Sequence, residues 1–251
     1  MKMKKNVQKL ICFFVMLALL MTSGMAVSAE ALPEGVQALN PTRERNYQHP
    51  PYIGDEYHPD DVAVINGIIE NSDLDWLPNQ PESWPTTGAQ YVQWSEGDAV
   101  RLESLVIPEI ALTGELDLRG CVSLKQLICS ENELERLDVS DLAYLQTLEC
   151  EINLLTTLDV STVPNLQYLL CGFNELSSLN VSGLSNLELL DCCGNMLEEL
   201  SLSGLTSLQY LHCYRNALSS LDTSDLVALK ELDCFENQIT NLDVSGLLCV
   251  S

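Results

Sequence analysis

Six segments of the chain, starting at Leu124, Leu145, Leu166, Leu187, Leu208 and Leu229, align at a constant offset of 21 residues with no insertion. The first reads LKQLICSENELERLDVSDLAY, and all six share the template L-x-x-L-x-C-x-x-N-x-L-x-x-L-D-V-S-x-L-x-x. A fixed period of this length implies a solenoid of stacked units, each one supersecondary element too small to bury its own apolar face. The opening L-x-x-L-x-C alternates as a short strand does: Leu127 and Cys129 on one side, Gln126, Ile128 and Ser130 on the other. Every unit returns to the same start, so successive strands run parallel.

Two polar columns accompany the leucines. Asn132, Asn153, Asn174, Asn195, Asn216 and Asn237 fall where the chain leaves each strand. An inward amide there can donate to and accept from backbone groups that the turn leaves unpaired, so these residues are read as structural. Cys129, Cys150, Cys171, Cys192, Cys213 and Cys234 form the second column. Six thiols in a line do not converge as tetrahedral zinc requires. Strands about 4.8 Å apart would permit disulfides between neighbours, but pairing would break an even ladder into couples. The reading adopted is a row of buried thiols acting as small hydrophobes. Cys193, on the opposite face of its strand, is expected to be accessible and able to react.

Before the regular array, Pro59-Asp60-Asp61 opens a helix, with proline in the first turn and acids at the positive end of the dipole. Val62, Ile65, Ile68 and Ile69 make its apolar stripe, and the helix is expected to reach about Asn71. Trp76, Trp84, Tyr91 and Trp94 follow among turn residues, and their aromatic surface is read as covering the first unit rather than stacking on carbohydrate. Residues 59–101 are thus expected to form an N-terminal cap. Residues 102–123 make an atypical first repeat: Leu102, Leu105, Ile107, Leu112 and Leu116 fill the apolar columns, with Ile107 at the Cys position and Ile110 at the Asn position. The spacing from Leu102 to Leu124 is one residue longer than the others.

The template resembles the leucine-rich repeat family, and within it the internalin-like surface proteins of Gram-positive bacteria whose cysteine ladder replaces one leucine column. The string W-x5-V-R-L-E-S-L from Trp94, followed by L-T-G-E-L, resembles the amino-terminal edge of many such proteins. The resemblance implies an α/β solenoid bent into a horseshoe, with a concave parallel β-sheet, a convex side of short 3-10 or irregular segments, and an extracellular binding role.

Composition narrows the compartment and the partners. The 251 residues carry 36 acids against 12 bases, a net charge of −24, and four of those bases (Lys2, Lys4, Lys5, Lys9) lie in the first ten positions. Such a chain repels nucleic acid and anionic lipid. The basic start, the apolar run Leu10–Met21 and the small residues Val27-Ser28-Ala29 read as a secretory signal over residues 1–29, cleaved after Ala29. Twelve apolar residues fall short of the ~20 that span a bilayer, so no membrane insertion is expected after cleavage. Cys12 leaves with the signal. The nine remaining cysteines do not suit a small disulfide scaffold. Residues 30–58 show no sustained period and are read as a linker. His49 and His58 lie there without a second group of ligand residues, so no metal or other cofactor is expected. Residues 124–251 hold the six regular repeats. Beyond them Val250 starts a further apolar column and the sequence stops at Ser251, without L-P-x-T-G or a polar cap. This end is expected to be either a truncation or a surface for self-association.

Strand positions three, five and seven of each repeat face outward. Toward the end of the array they turn apolar and aromatic: Tyr168, Leu170, Leu189, Tyr210, Tyr214 and Phe235, with Glu149, Glu151, Asp191, His212, Glu231 and Asp233 around them. Aromatic anchors ringed by charge suit a protein interface. The candidate ligand-binding set is therefore Tyr168, Leu170, Leu189, Asp191, Tyr210, His212, Tyr214, Glu231, Asp233 and Phe235. The expected function is an exported, non-catalytic module that binds a protein or peptide, in adhesion or host interaction. A glycan-binding surface protein and a structural spacer of a larger surface protein are the alternatives. Catalysis is disfavoured: Glu149 with Glu151, or Asp191 with His212, could serve as acid and base, but no nucleophile motif or phosphate loop accompanies them. Glu231 and Asp233 lack the D-x-D-x-D-G spacing of a calcium loop.

Overall fold

The computed structural model describes residues 57–72, 74, 76, 81–86, 88–96 and 100–244. The signal segment with Cys12, residues 30–56 with His49, and the end with Cys249 and Val250 lie outside the described residues. The described part comprises helix α1 (Pro59–Glu70), a 3-10 turn (Pro81–Ser83) and ten strands: β1 (Tyr91–Trp94), β2 (Leu102–Val106), β3 (Thr113–Leu116), β4 (Gln126–Ile128), β5 (Glu133–Leu137), β6 (Thr147–Glu149), β7 (Tyr168–Leu170), β8 (Leu189–Asp191), β9 (Tyr210–His212) and β10 (Glu231–Asp233).

One eight-stranded sheet runs β1-β2-β4-β6-β7-β8-β9-β10, parallel throughout except for the antiparallel pair β1–β2. Register follows the repeat: Leu127 pairs with Leu148, Leu148 with Leu169, Leu169 with Leu190 and Leu190 with Leu211. Those leucines, together with Leu124, Leu145, Leu166, Leu187 and Leu208, are fully buried. The columns at Leu134, Leu155, Leu176, Leu197 and Leu218 close the core from the other side. The fold is therefore the parallel solenoid that the 21-residue period predicts.

Within the core, Cys129, Cys150, Cys171, Cys192 and Cys213 are fully buried and unbridged, and Cys234 is half-buried and unbridged. Burial pushes the Cys129 thiol up to about 12 and raises those of Cys150, Cys171 and Cys192 well above their ordinary 9.0, which keeps them protonated and apolar in behaviour. The asparagines stitch consecutive turns together. Asn153 Oδ1 accepts from the N–H of Leu134 in the previous turn (3.0 Å). Its Nδ2 donates to the carbonyls of Cys129 in that turn (3.1 Å), and of Cys150 (3.1 Å) and Glu151 (3.2 Å) in its own. The pattern repeats at Asn174, Asn195, Asn216 and Asn237.

The L-D-V-S step has an equally local cause. Asp138, Asp159 and Asp222 each accept through Oδ1 the N–H of the serine two residues on, and Asn180 does the same for Ser182. These are Asx turns, reversing the chain on the face opposite the large sheet. Bonds from those serines hold the three aspartates below their ordinary 3.8.

In the first repeat, the loop at Pro108–Leu112 holds two residues more than its counterpart in the next repeat, and the bulge that follows takes one of them back. Ser104 pairs with Gln126 at an offset of 22, but Thr113 pairs with Glu133 at 20, and a bulge at Gly114/Glu115 restores 21. The tight loop is made by Glu109 (φ 54°) and Ala111 (φ 56°), both left-handed. Later repeats use one such residue each, at Glu131, Ile152, Phe173, Gly194, Arg215 and Glu236. An L-residue in this region costs ~1–2 kcal/mol, which glycine avoids at ~0.5–1 kcal/mol of unfolded-state entropy. Ala111 is exposed and gives up no packing. Ala111→Gly is accordingly expected to raise stability by about 0.5–1 kcal/mol, read from the urea midpoint at unchanged slope.

At the amino end, Ile65 and Ile68 of α1 are buried against the array. His58 caps the helix, its Nδ1 accepting from the Asp60 N–H (3.3 Å). Asp61 stands in the first turn of the helix as expected and does more than meet its dipole: it is fully buried, taking two bonds from the Arg101 guanidinium (2.8 and 3.1 Å) and one from the Leu102 N–H (2.9 Å). Arg101 also donates to the Gly120 carbonyl. Trp76, Trp84 and Trp94 stack in sequence, with centroids 6.2 and 6.1 Å apart, and Tyr57 meets Trp94 edge-on. Their rings are spent on one another and on the core.

Candidate functional site

The odd positions of the strands form three lanes on the outer face of the large sheet. Strand register sets Thr147, Tyr168, Leu189, Tyr210 and Glu231 side by side in the first lane. Glu149, Leu170, Asp191, His212 and Asp233 make the second. The third, just past the strand ends, holds Glu151, Gly172, Cys193, Tyr214 and Phe235, each 21 residues from the last. The candidate residues are thus brought onto one continuous surface.

They are not equally open. Tyr168, Leu189 and Tyr214 are each less than a tenth exposed, so these three are walls of the surface rather than free anchors. Tyr168 donates to Glu188 (3.3 Å), and burial and that carboxylate push its phenol up to about 12. Phe235 is exposed and lies flat on Tyr214, with centroids 4.6 Å and planes 5° apart. Tyr214 in turn meets Phe173 edge-on at 6.5 Å. Phe173 has no place in the strand alternation, since it is the left-handed residue after the strand. Its signal was the glycine one repeat later: a Cβ on Gly194 would stand 2.7 Å from the Phe173 ring.

Cys193 corrects another expectation. Its strand position faces outward, but the thiol is buried, tucked where Gly172 has no side chain; a Cβ there would lie 2.9 Å from its Sγ. Burial and the adjacent Asp191 carboxylate push the thiol far up, so thiolate chemistry is suppressed.

The charges are arranged unevenly. His212 Nδ1 stands 3.4 Å from Asp191 Oδ2, and its Nε2 stands 3.4 Å from Glu231 Oε1. Burial alone would lower the imidazole. The Asp191 hydrogen bond and the charges of Asp191, Glu231 and Asp233 outweigh it and raise it above its ordinary 6.5. The raised value means that this cluster's contribution to stability is complete below the unfolded value near 6.5 and is lost as pH rises through the folded one. A titration of the His212 ring by NMR is expected to give a midpoint above 6.5, and Asp191→Asn is expected to bring it down. At the other end, Glu149 and Glu151 are half-buried, and among the described residues neither forms an ion pair with a basic side chain. Burial raises both, Glu151 strongly, with the charges of Asp191, Glu149 and Glu131 adding to it.

The acid/base pairings read from sequence resolve differently. Asp191 and His212 are in contact, but Glu231 shares the imidazole, while Glu149 and Glu151 stand on an open face. Among the described residues, no three His, Cys, Asp or Glu side chains converge as a metal site, and no helix is long and apolar enough to cross a membrane. A cleft of about 780 Å³ lies away from these lanes, between α1 and the Leu112–Gly120 segment.

Period, parallel ladder, bridging asparagines and a dry row of thiols together define a leucine-rich-repeat solenoid with a cysteine ladder. No protein-family model matches the chain, and no curated protein does. Among solved structures it is similar to the functional domain of InlJ from Listeria monocytogenes, which includes a cysteine ladder (31% identity, 60% of this chain and 39% of that one, TM-score 0.46). It is also similar to YopM from Yersinia enterocolitica (28%, 61% and 36%, 0.48) and to the internalin InlF from Listeria monocytogenes (22%, 59% and 48%, 0.48). The chain therefore spans between about a third and a half of the length of these relatives.

Proposed function

We propose that this chain is an exported, non-catalytic binding module that takes a protein or peptide ligand on the outer face of its large sheet. The observation that carries the reading is the composition of that face. Four adjacent parallel strands, β7 to β10, present apolar and aromatic side chains in register, edged by carboxylates, where solvent alone would favour short polar residues. A protonated, covered Cys193 and a histidine shared between two carboxylates suit recognition better than turnover. Residues 1–29 act in this reading as the export signal, and the intact mass of the secreted protein should correspond to a chain starting at Glu30.

The test is a binding screen of the secreted chain against an arrayed panel of extracellular protein domains, run beside a Tyr210→Ala/Phe235→Ala variant. At least one partner is expected to bind the wild type and to lose about tenfold or more with the variant, as truncated interface anchors do. Partners that bind both equally would place recognition elsewhere and defeat the proposal. The exposed Phe235 ring stacked on Tyr214 also suits a sugar face, and a glycan array probed with the same pair of proteins separates that second reading.

A further inference from the structure

We infer that the ligand of this face is a polypeptide segment bearing lysine or arginine, whose cationic head is received by Glu149 and Glu151. The inference rests on the reading of the outer face as the binding surface and specifies the chemistry of its partner.

Consider first what the face lacks. From β6 to β10 the three lanes carry five carboxylates (Glu149, Glu151, Asp191, Glu231 and Asp233) and not one lysine or arginine. The single group there able to become cationic, His212, is already engaged by Asp191 and Glu231. Positive charge stands only at the border, where Lys230 bonds Gln209 (2.6 Å) and lies 5.8 Å over the Tyr210 ring. Among the described residues, none forms an ion pair or a side-chain hydrogen bond with Glu149 or Glu151.

Unpaired carboxylates are ordinary on a surface surrounded by water. These two are recessed in the face, with Ile128 and Leu170 flanking Glu149 in its lane. Withdrawing an ionised carboxylate from water without a partner is costly, and the upward displacement of both acids is the mark of that cost. Elsewhere in this chain, acids set close to the core have their cation supplied from within, as Asp61 has Arg101. Here the cation is missing from a face that is otherwise built.

Geometry fits the missing group. Glu149 and Glu151 stand two residues apart on the same side of one extended segment, about 7 Å at ~3.3–3.4 Å per residue. A guanidinium presents five donors in a planar fork and can address both, and an ammonium can sit between them. Beside the pair, Leu170, Tyr168 and Leu189 offer an apolar wall along which the methylene stem of such a side chain can lie. Charge therefore selects the head of the incoming residue, and the neighbouring lane selects its stem.

The experiment selects random dodecapeptides displayed on phage against the full secreted chain, then measures the winners against wild type, Glu149→Gln/Glu151→Gln and Tyr210→Ala/Phe235→Ala. Glutamine keeps shape and hydrogen bonding, and thermal melting verifies that each variant is folded; single Glu149→Gln and Glu151→Gln replace the double if it is not. The expected result is peptides enriched in lysine or arginine. Their affinity should fall at least about tenfold in the Glu→Gln variant and decline with added salt for wild type only. Winners without basic enrichment that still lose affinity in Tyr210→Ala/Phe235→Ala would overturn the inference and leave the binding face standing. Basic winners indifferent to Glu→Gln would also overturn it, showing general attraction to a chain of net charge −24. Failure to enrich any peptide above background would overturn it too, whereas the face itself is judged separately by the folded-domain panel.

Discussion

Asn174→Asp is expected to be among the most damaging single changes this solenoid can suffer, worse than Asn174→Ala although it alters one atom. Asn174 is buried; its Oδ1 accepts from Leu155 N–H (3.0 Å) and its Nδ2 donates to the carbonyls of Cys150, Cys171 and Gly172 (3.0, 3.1 and 3.3 Å). Alanine strands the Leu155 N–H and opens a small void, at about 2–4 kcal/mol. Aspartate keeps the acceptor but turns an oxygen toward three carbonyl oxygens in a dry seam. It must then either hold a charge there or bind a proton well above its usual range. In the aspartate variant, stability should fall further than in the alanine variant at pH 7 and recover in part as the buffer is acidified and the carboxyl becomes a donor. Urea titrations of both variants at pH 7 and pH 5 check the ordering. A solenoid joins its turns only through nearest neighbours, so the unfolding curve is also expected to broaden or split at the joint between the β6 and β7 turns.

Asp61→Ala should produce a loss of similar size in a different place. The carboxylate is fully buried, receives two bonds from Arg101 and one from the Leu102 backbone, and joins the first turn of α1 to the strand opening the array. Removing it leaves the Leu102 N–H without its acceptor and a largely covered guanidinium with no counter-charge and only the Gly120 carbonyl to bond, at about 3–5 kcal/mol. The damage should be local. Amide exchange is expected to accelerate throughout α1 and β2 while the amides of β8 and β9 keep their protection. Asp61→Asn, which retains one acceptor oxygen, should cost less. Equal exchange in β9 and α1 would mean that the pair supports the whole array rather than its amino end.

The core was legible because its rules are periodic. Leu127, Cys129, Asn132 and Leu134 each answer to one constraint repeated six times, so their burial could be read from spacing alone. The strand faces were legible for the same reason, through alternation. What escaped was whatever depends on a single side chain meeting another from elsewhere in the sequence. Asp61 looked like an ordinary helix-opening acid because Arg101 lies 40 residues away. Cys193 looked accessible because alternation gives its direction but not the vacancy above Gly172 that it fills. Tyr168, Leu189 and Tyr214 pointed outward as expected, yet each is less than a tenth exposed. Phe173 was missed because position eight belongs to no strand, and only its left-handed backbone brings it over Gly194.

From Asn153 onward the asparagine bridges reach back by a fixed count, 19 residues to an N–H and 24 to a carbonyl. Excising or duplicating 21 residues at any internal point reproduces the same joint, whereas losing one residue misaligns it. Length can therefore change in whole coils during descent, by unequal recombination of the coding DNA, while point changes at the outer lanes alter what is recognised. Growth of the scaffold and drift of its taste are thereby uncoupled, and the same joint would accept coils borrowed from another array of equal period.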